Sequence, residues 1–246
     1  NRVFETELKI GDKINIPNIS NLASRSKTAN TAITYETVTE TMQTLTVATH
    51  DYAAMAVEDI IKVQGNRDLF ASYAGKMGYA LDLAVDNVLA GLPDDFSQTI
   101  GSLASNLTYA DLLRGRQYLD DADVPEEDRV IVVSPAEEAG MMQLENFINA
   151  DYTKGNGAMN GGKGDKGWIG AWLGMPVYKS VNVEGSNAAG HDSVMMHKDA
   201  LALVLQMKPR FESQRDIDYL VDKVAAQQLH GSKEIRDDHG VWMKSA

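Results

Sequence analysis

Between Asp68 and Leu92, apolar side chains recur at Leu69, Phe70, Tyr73, Met77, Leu81, Ala84, Val85, Val88 and Leu92. This three-and-four spacing predicts one face of an amphipathic helix. Asp68, Ser72, Lys76, Asp82 and Asp86 fall on the other side. Asn66 stands where an N-cap is needed, and Gly91 followed by Pro93 signals the end. At 1.5 Å per residue the helix extends about 35 Å, long enough to act as a strut between parts of the fold. Gly75 and Gly78 sit in its middle, where each costs about 1 kcal/mol relative to Ala. Either another backbone packs closely there, or the helix is built to bend.

Before this helix the pattern has period two. Phe4, Thr6, Leu8 and Ile10 alternate with Glu5, Glu7 and Lys9 within a strand-like stretch from Val3 to Ile16, interrupted at Gly11-Asp12. A polar loop, Asn18 to Thr31, carries Arg25 and Lys27. Alternation resumes from Ala32 to Ala48, with Ile33, Tyr35, Leu45 and Val47 on one face and a Thr-rich middle that favours strand. These stretches predict a long two-stranded hairpin with a basic tip. Arg25 and Lys27 are its candidate inter-subunit contacts. Two strands alone are at best marginally stable, so the hairpin lies on its own chain or on a neighbouring subunit. Its length, thinness and polar tip favour the neighbour, and its edges invite pairing with other chains.

Beyond the hairpin, His50 to Val63 predicts a short strand running into a helical turn closed by Gly65-Asn66. Pro93 to Asn106 predicts a connection and lobe boundary. Thr108 to Asp120 predicts a helix capped by Thr108, with Asp111 three residues on. Arg129 to Val133 is the apolar run of a buried central strand. Ser134-Pro135 opens a third helix, where Glu137 and Glu138 complement the positive end of the dipole. Lys154 to Gly167 is a glycine-rich loop, mobile or ordered only by a partner, and Trp168 to Ser180 returns to strands. Ser193 to Met207 mixes strand and helix spacing. Arg210 to His230 is amphipathic, with Ile217, Tyr219, Val221 and Val224 alternating. Gly231 introduces a last hairpin turning at Asp238-His239-Gly240. The sum is α+β: helices segregated from antiparallel strands, without βαβ alternation or internal repeat.

Composition narrows the function. The chain has 246 residues and 43% hydrophobic content, enough for a core in one large domain or two lobes. A net charge of −12 argues against holding nucleic acid by bulk electrostatics. With no cysteine, disulfides, thiolate catalysis and cysteine-bearing metal sites are excluded. No apolar run approaches the roughly 20 residues that cross a bilayer, and no signal-peptide pattern is present, so no membrane partner is expected. The first residue is Asn1, inside a strand-like stretch, which suggests a missing or removed N-terminal segment.

Candidate chemistry does not converge. GAMNGGKG, Gly157 to Gly164, nearly spells a phosphate-binding loop, but Gly164 stands where a Ser or Thr would hold magnesium, and the loop follows a helix. Gly162 to Gly167 spells GxGxxG but leads into a strand. Asp120, Asp121, Asp123, Glu126, Glu127 and Asp128 lack the spacing and glycine of a calcium loop and read as a solvated turn. Asp94-Asp95 reads as surface. His191 and His197 have no carboxylate at ligand spacing, and no GxSxG is present. No catalytic, cofactor-binding or metal residue is assigned, and neither an enzyme nor a cofactor is expected. A soluble enzyme using the glycine-rich loop as a lid is the remaining alternative of that class.

Five passages carry a family resemblance. YADLLRGRQYLDDADVPEEDRVIVVSP, ending at Pro135, resembles the helix–strand–Ser-Pro passage of tailed-bacteriophage major capsid proteins. GDKINIPNIS followed by TAITYETVTETMQTLTV, the helix YALDLAVDNVLAGL preceded by VQGNRDLF, and GWIGAWLGMPVYKS are similar to stretches of the same family in the same order. QLHGSKEIRDDHGVWMKS resembles its closing strands. The resemblance implies the HK-ninety-seven-type capsid fold. Residues 1–48 would be the extended loop lying over a neighbour, and 49–107 a peripheral domain with spine helix 68–92. Residues 108–230 would be mainly the axial domain, and 231–246 the closing strands of the peripheral domain. The implied function is a structural subunit assembling as pentamers and hexamers into an icosahedral head, enclosing double-stranded DNA without sequence-specific binding. Portal and scaffold proteins, and in some heads a decoration protein, would be partners. Assembly would occur in the host cytoplasm, and the product would be the virion. Gly75 and Gly78 would then be flex points of the spine helix. The alternative is an encapsulin-like nanocompartment shell of the same fold. The family's N-terminal arm is missing here, the loop at 154–167 is unusually long, and no Lys–Asn crosslinking pair is carried over.

Overall fold

A computed structural model describes residues 1–3, 11–19, 24–35, 37, 40–59, 69–144, 167–186 and 188–246. The expected strand at Phe4–Ile10, the Asn66 cap, the turn closed at Gly65-Asn66 and nearly all of the glycine-rich loop lie outside the described residues. At the base of the first hairpin, β1 (Lys13–Ile19) pairs antiparallel with β2 (Glu40–Thr46), Ile14 opposite Leu45. Ile14, Ile16, Leu45 and Val47 are buried against Ala202, Val204, Ile235 and Leu229. The hairpin base therefore lies on its own chain, contrary to the favoured expectation. Its apolar residues are concentrated at one end, and those have a partner here.

The supporting surface is a three-stranded antiparallel sheet, β10–β11–β3. β3 is Thr49–Glu58, β10 is Leu201–Asp216 and β11 is Val221–Glu234. Arg210 to His230 is thus not one element. β10 and β11 turn at residues 217–220, where Leu220 takes φ 51°. The predicted long helix is α1 (Leu69–Ala90). It lays Met77 and Leu81 on Val224, Ala226, Ala53 and Met55. The buried Gln228 amide donates to the Leu81 carbonyl at 2.8 Å, tying helix to sheet.

The second sheet has seven strands, ordered β4–β12–β9–β5–β7–β6, with β8 on β9. These are β4 (Thr99–Gly101), β5 (Arg129–Val133), β6 (Trp168–Trp172), β7 (Met175–Lys179), β8 (Gly185–Ser186), β9 (Gly190–His197) and β12 (Gly240–Ser245). α2 (Tyr109–Asp121) covers one face, placing Leu112 and Leu119 in a core with Ile131, Val133, Met195 and Met243. Thr108 and Asp111 form a full reciprocal capping box. Ser134 caps α3 (Pro135–Met141) as expected.

Three expectations need correction. β12 pairs with β9 and, in parallel, with β4, so the chain does not end in a hairpin with β11. β5 and β7 also pair in parallel, because the long connection through α3 allows the chain to return in the same direction. The connection after α1 is structured: Phe96 and Ile100 are buried, and β4 forms one edge of the sheet. Gly231 lies within β11, where an added Cβ would come 2.5 Å from the Thr46 carbonyl oxygen. Gly231→Ala is expected to destabilise the subunit by about 1–3 kcal/mol, with amide protection lost first in β1 and β2. Unchanged protection there would show that the contact accommodates a methyl group.

Candidate assembly surfaces

Residues 24–35 at the far end of the first hairpin are exposed throughout, Arg25 and Lys27 included. Residues 32–35 are not in a strand, so the second strand starts later than its alternation predicts. The exposed stretch includes apolar bulk, with Tyr35 84% and Ile33 56% exposed, and Met42 on β2 is 63% exposed. Leu45 and Val47 share their alternation but are buried. One pattern thus divides into a part that packs on this chain and a part that meets nothing buried. Contiguous exposed apolar groups mark contact surfaces.

A second exposed apolar cluster was not legible from spacing. Ile217, Tyr219 and Leu220 crown the β10–β11 turn at 76%, 74% and 58% exposure. Their alternation imitates strand, and the signal missed was the turn-forming Asp216 and Asp218 around them. The turn is braced from behind. Arg215 donates to Asp59 at 2.7 Å and Asp222 at 3.0 Å, and Lys223 reaches Asp216 at 2.5 Å. Hydrogen bonds to Asp59 and Asp222 push the Arg215 guanidinium above its ordinary value.

On α1, a Cβ added at Gly75 or Gly78 would meet nothing within 4 Å among the described residues. Close packing of a described backbone segment therefore does not explain either glycine. Replacing both by Ala is expected to stabilise the unassembled subunit by about 1–2 kcal/mol through helix propensity, measured by chemical denaturation. A loss of stability would point to packing that the open space does not indicate.

Among the described residues, no group of three or more His, Asp or Glu is arranged to hold a metal ion. Part of the acidic run is paired with cations: Arg129 meets Asp120 at 2.6 Å, Arg116 meets Glu126 at 3.5 Å, and Lys198 pairs with Asp128. His191 and His197 occupy opposite ends of β9. Glu137, at the start of α3 as expected, is buried at 3% exposure. Its backbone N–H donates to Ser134 Oγ at 3.1 Å, and the Ser193 hydroxyl donates to its carboxylate. Burial pushes its carboxyl up to about 7, opposed by the hydroxyls of Ser193 and Ser245. Sealed in the core, it is a structural acid.

The sign of the Glu137 effect follows from linkage. The folded state holds this proton more tightly than the unfolded state, whose ordinary value is 4.5. Its contribution is therefore full below 4.5 and is lost as pH rises through about 7. Glu137→Gln is expected to leave stability unchanged near pH 4.5 and raise it by up to ~3 kcal/mol above pH 8. Parallel stability–pH curves for the two proteins would overturn this assignment.

Comparison with known proteins agrees with the geometry. The sequence model of a family described as "Phage capsid protein" matches residues 28–233. No curated protein matches the chain. Among solved structures, that of Mycobacterium phage Che8 superposes with a TM-score of 0.80 at 23% identity, covering 99% of this chain and 88% of that one. The capsid of the cyanophage P-SCSP1u gives 0.76 at 18% identity, covering 97% and 85%. The mature capsid of bacteriophage PhiM1 gives 0.72 at 16% identity, covering 96% and 82%.

Proposed function

This chain belongs to the phage capsid protein family, with the fold of tailed-phage capsids, and is a structural component of a virion shell; we propose that its copies close as pentamers and hexamers into an icosahedral head around double-stranded DNA. The observation that carries this reading is the family match across residues 28–233, joined to surfaces that a lone subunit leaves open. The exposed Ile33, Tyr35 and Met42 fit a hairpin whose base is anchored on its own chain and whose tip lies on a neighbour. Arg25 and Lys27 would then meet the surface of a subunit that carries a net charge of −12. The same acidic balance suits a lining that holds DNA without gripping phosphates.

In this reading residues 1–48 form the lapping loop and 49–107 the peripheral domain. Residues 108–230 form mainly the axial domain, and 231–246 return to the periphery. Gly75 and Gly78 let α1 bend while the shell changes form. Portal and scaffold proteins, and in some heads a decoration protein, are the partners, and assembly takes place in the host cytoplasm. Interface energy does the work, with many weak contacts summed through multivalency.

Electron microscopy of the full-length protein expressed with its scaffold and portal partners is expected to show closed particles. A chain that stays monomeric under those conditions would refute the assembly reading. Deleting residues 24–35 spares the β1–β2 ladder and is expected to leave a folded subunit that forms no shell. Normal shells from that deletion would refute the lapping role.

A further inference from the structure

Among the described residues the chain passes between the three-stranded and seven-stranded sheets at 91–98, 198–200 and 235–239, and these passages meet. The N–H groups of Ile235 and Arg236 both donate to the Ala200 carbonyl, at 2.8 and 3.3 Å. Ser97 donates its N–H and hydroxyl to the two carboxylate oxygens of Asp237, at 2.7 and 2.5 Å. Phe96, Ala200 and Leu201 form a small core here with Val194.

Two imidazoles stand in this junction. His197 ends β9 and His239 precedes β12. They are 3% and 8% exposed, and their rings meet edge to face with centroids 5.7 Å apart. Each holds its linker through a bare nitrogen. The Asp199 N–H donates to His197 Nδ1 at 3.2 Å. Arg236 Nη1 lies 3.3 Å from His239 Nε2, and a guanidinium only donates, so Nε2 accepts. A proton on either nitrogen sets N–H against N–H. Protons on both rings place two buried cations side by side.

We propose that His197 and His239 form an acid-released latch. As neutral acceptors they hold the turn of each linker, and their ring contact seats one linker on the other; on protonation they free the three-stranded sheet to reorient against the seven-stranded one. A cavity of about 480 Å³ between Leu89 and Ala90 of α1 and Val132, Val194 and Met196 of the larger sheet gives room for that movement.

The surrounding charges set the direction. Burial first, and Arg236 second, hold the His239 imidazole below its ordinary value of 6.5, against Asp238 and Asp199. On the other linker the Asp199 carboxylate lies 3.8 Å from His197 Nδ1, while Lys198 is turned to Asp128. Because the folded value of His239 is depressed, its hold is complete above 6.5 and is lost as pH falls below that value. Glu234 acts oppositely. Burial, with Asp237 and Asp95 nearby, pushes its carboxyl up to about 7, so acidification removes a repulsion there and tightens the junction. The latch belongs to the subunit and stands whether or not the shell closes as proposed.

Hydrogen exchange on the unassembled full chain tests it. Corrected for intrinsic exchange, protection of the Ile235 and Arg236 amides is expected to fall about tenfold or more between roughly pH 7.5 and 5.5. In the double variant His197→Asn with His239→Gln, the amide oxygens replace Nδ1 and Nε2 as acceptors and do not titrate, so protection should hold. Glu234→Gln should keep the fall. Constant protection in the native chain overturns the latch, as does an undiminished fall in the double variant. If that variant does not fold, the native chain still decides by NMR. The fall must coincide with the titration of the His239 or His197 ring protons, and a fall centred elsewhere refutes the proposal.

Discussion

One antiparallel ladder, β10 against β11, carries the contacts of both the hairpin base and α1. Near the junction it presents Ala202, Val204 and Leu229 to the hairpin base. Farther along, Val224 and Ala226 receive α1. At its far end it turns at Ile217–Leu220, braced by Arg215 between Asp59 and Asp222. A two-stranded hairpin and a lone helix each lack a surface on which to bury their apolar side, and this ladder supplies it to both. The close approach at Gly231 is the cost of that arrangement: the strand passes so near the Thr46 backbone that no side chain fits.

The division between buried and exposed apolar residues connects this fold to a shell. The hairpin base and the α1 inner face are satisfied within the chain, whereas Ile33, Tyr35, Met42, Ile217, Tyr219 and Leu220 are not. Ile33 and Tyr35 lie between β1 and β2, Met42 on β2, and Ile217, Tyr219 and Leu220 at the β10–β11 turn. The seven-stranded sheet, by contrast, closes its own core around Ile131, Met195 and Trp172. The molecule thus pairs a self-sufficient body with an extended half, and the two are joined where His197 meets His239.

Much of this was legible from local signals. The helix expected from Asp68 to Leu92 runs from Leu69 to Ala90. The Thr108 and Ser134 caps, and the buried strand at Arg129–Val133, lie where the sequence places them. The exposed basic tip was legible too, because Arg25 and Lys27 interrupt an alternating pattern with polar loop residues. The apolar crown at Tyr219 and the buried carboxyl of Glu137 were not. Tyr219 continues an alternation that gives no notice of the turn. Glu137 obeys a helix-start rule that holds equally at the surface or in a core.

The chain by itself determined the landmarks of its local structure: the helix near 69–90, the capped starts at Thr108 and Ser134, and the buried strand at Arg129–Val133. Those properties depend on hydrogen bonds and side-chain spacing within a few residues. Only the tertiary structure decided which strand pairs with which. Alternation specifies a face but not a neighbour, so β12 joins β9 and β4 when the sequence reads as a hairpin with β11. The meeting of His197 with His239, and the covering of the hairpin base by Ala202 and Val204, belong to the same class. They rest on contacts between residues far apart in sequence, set by how two sheets share one chain.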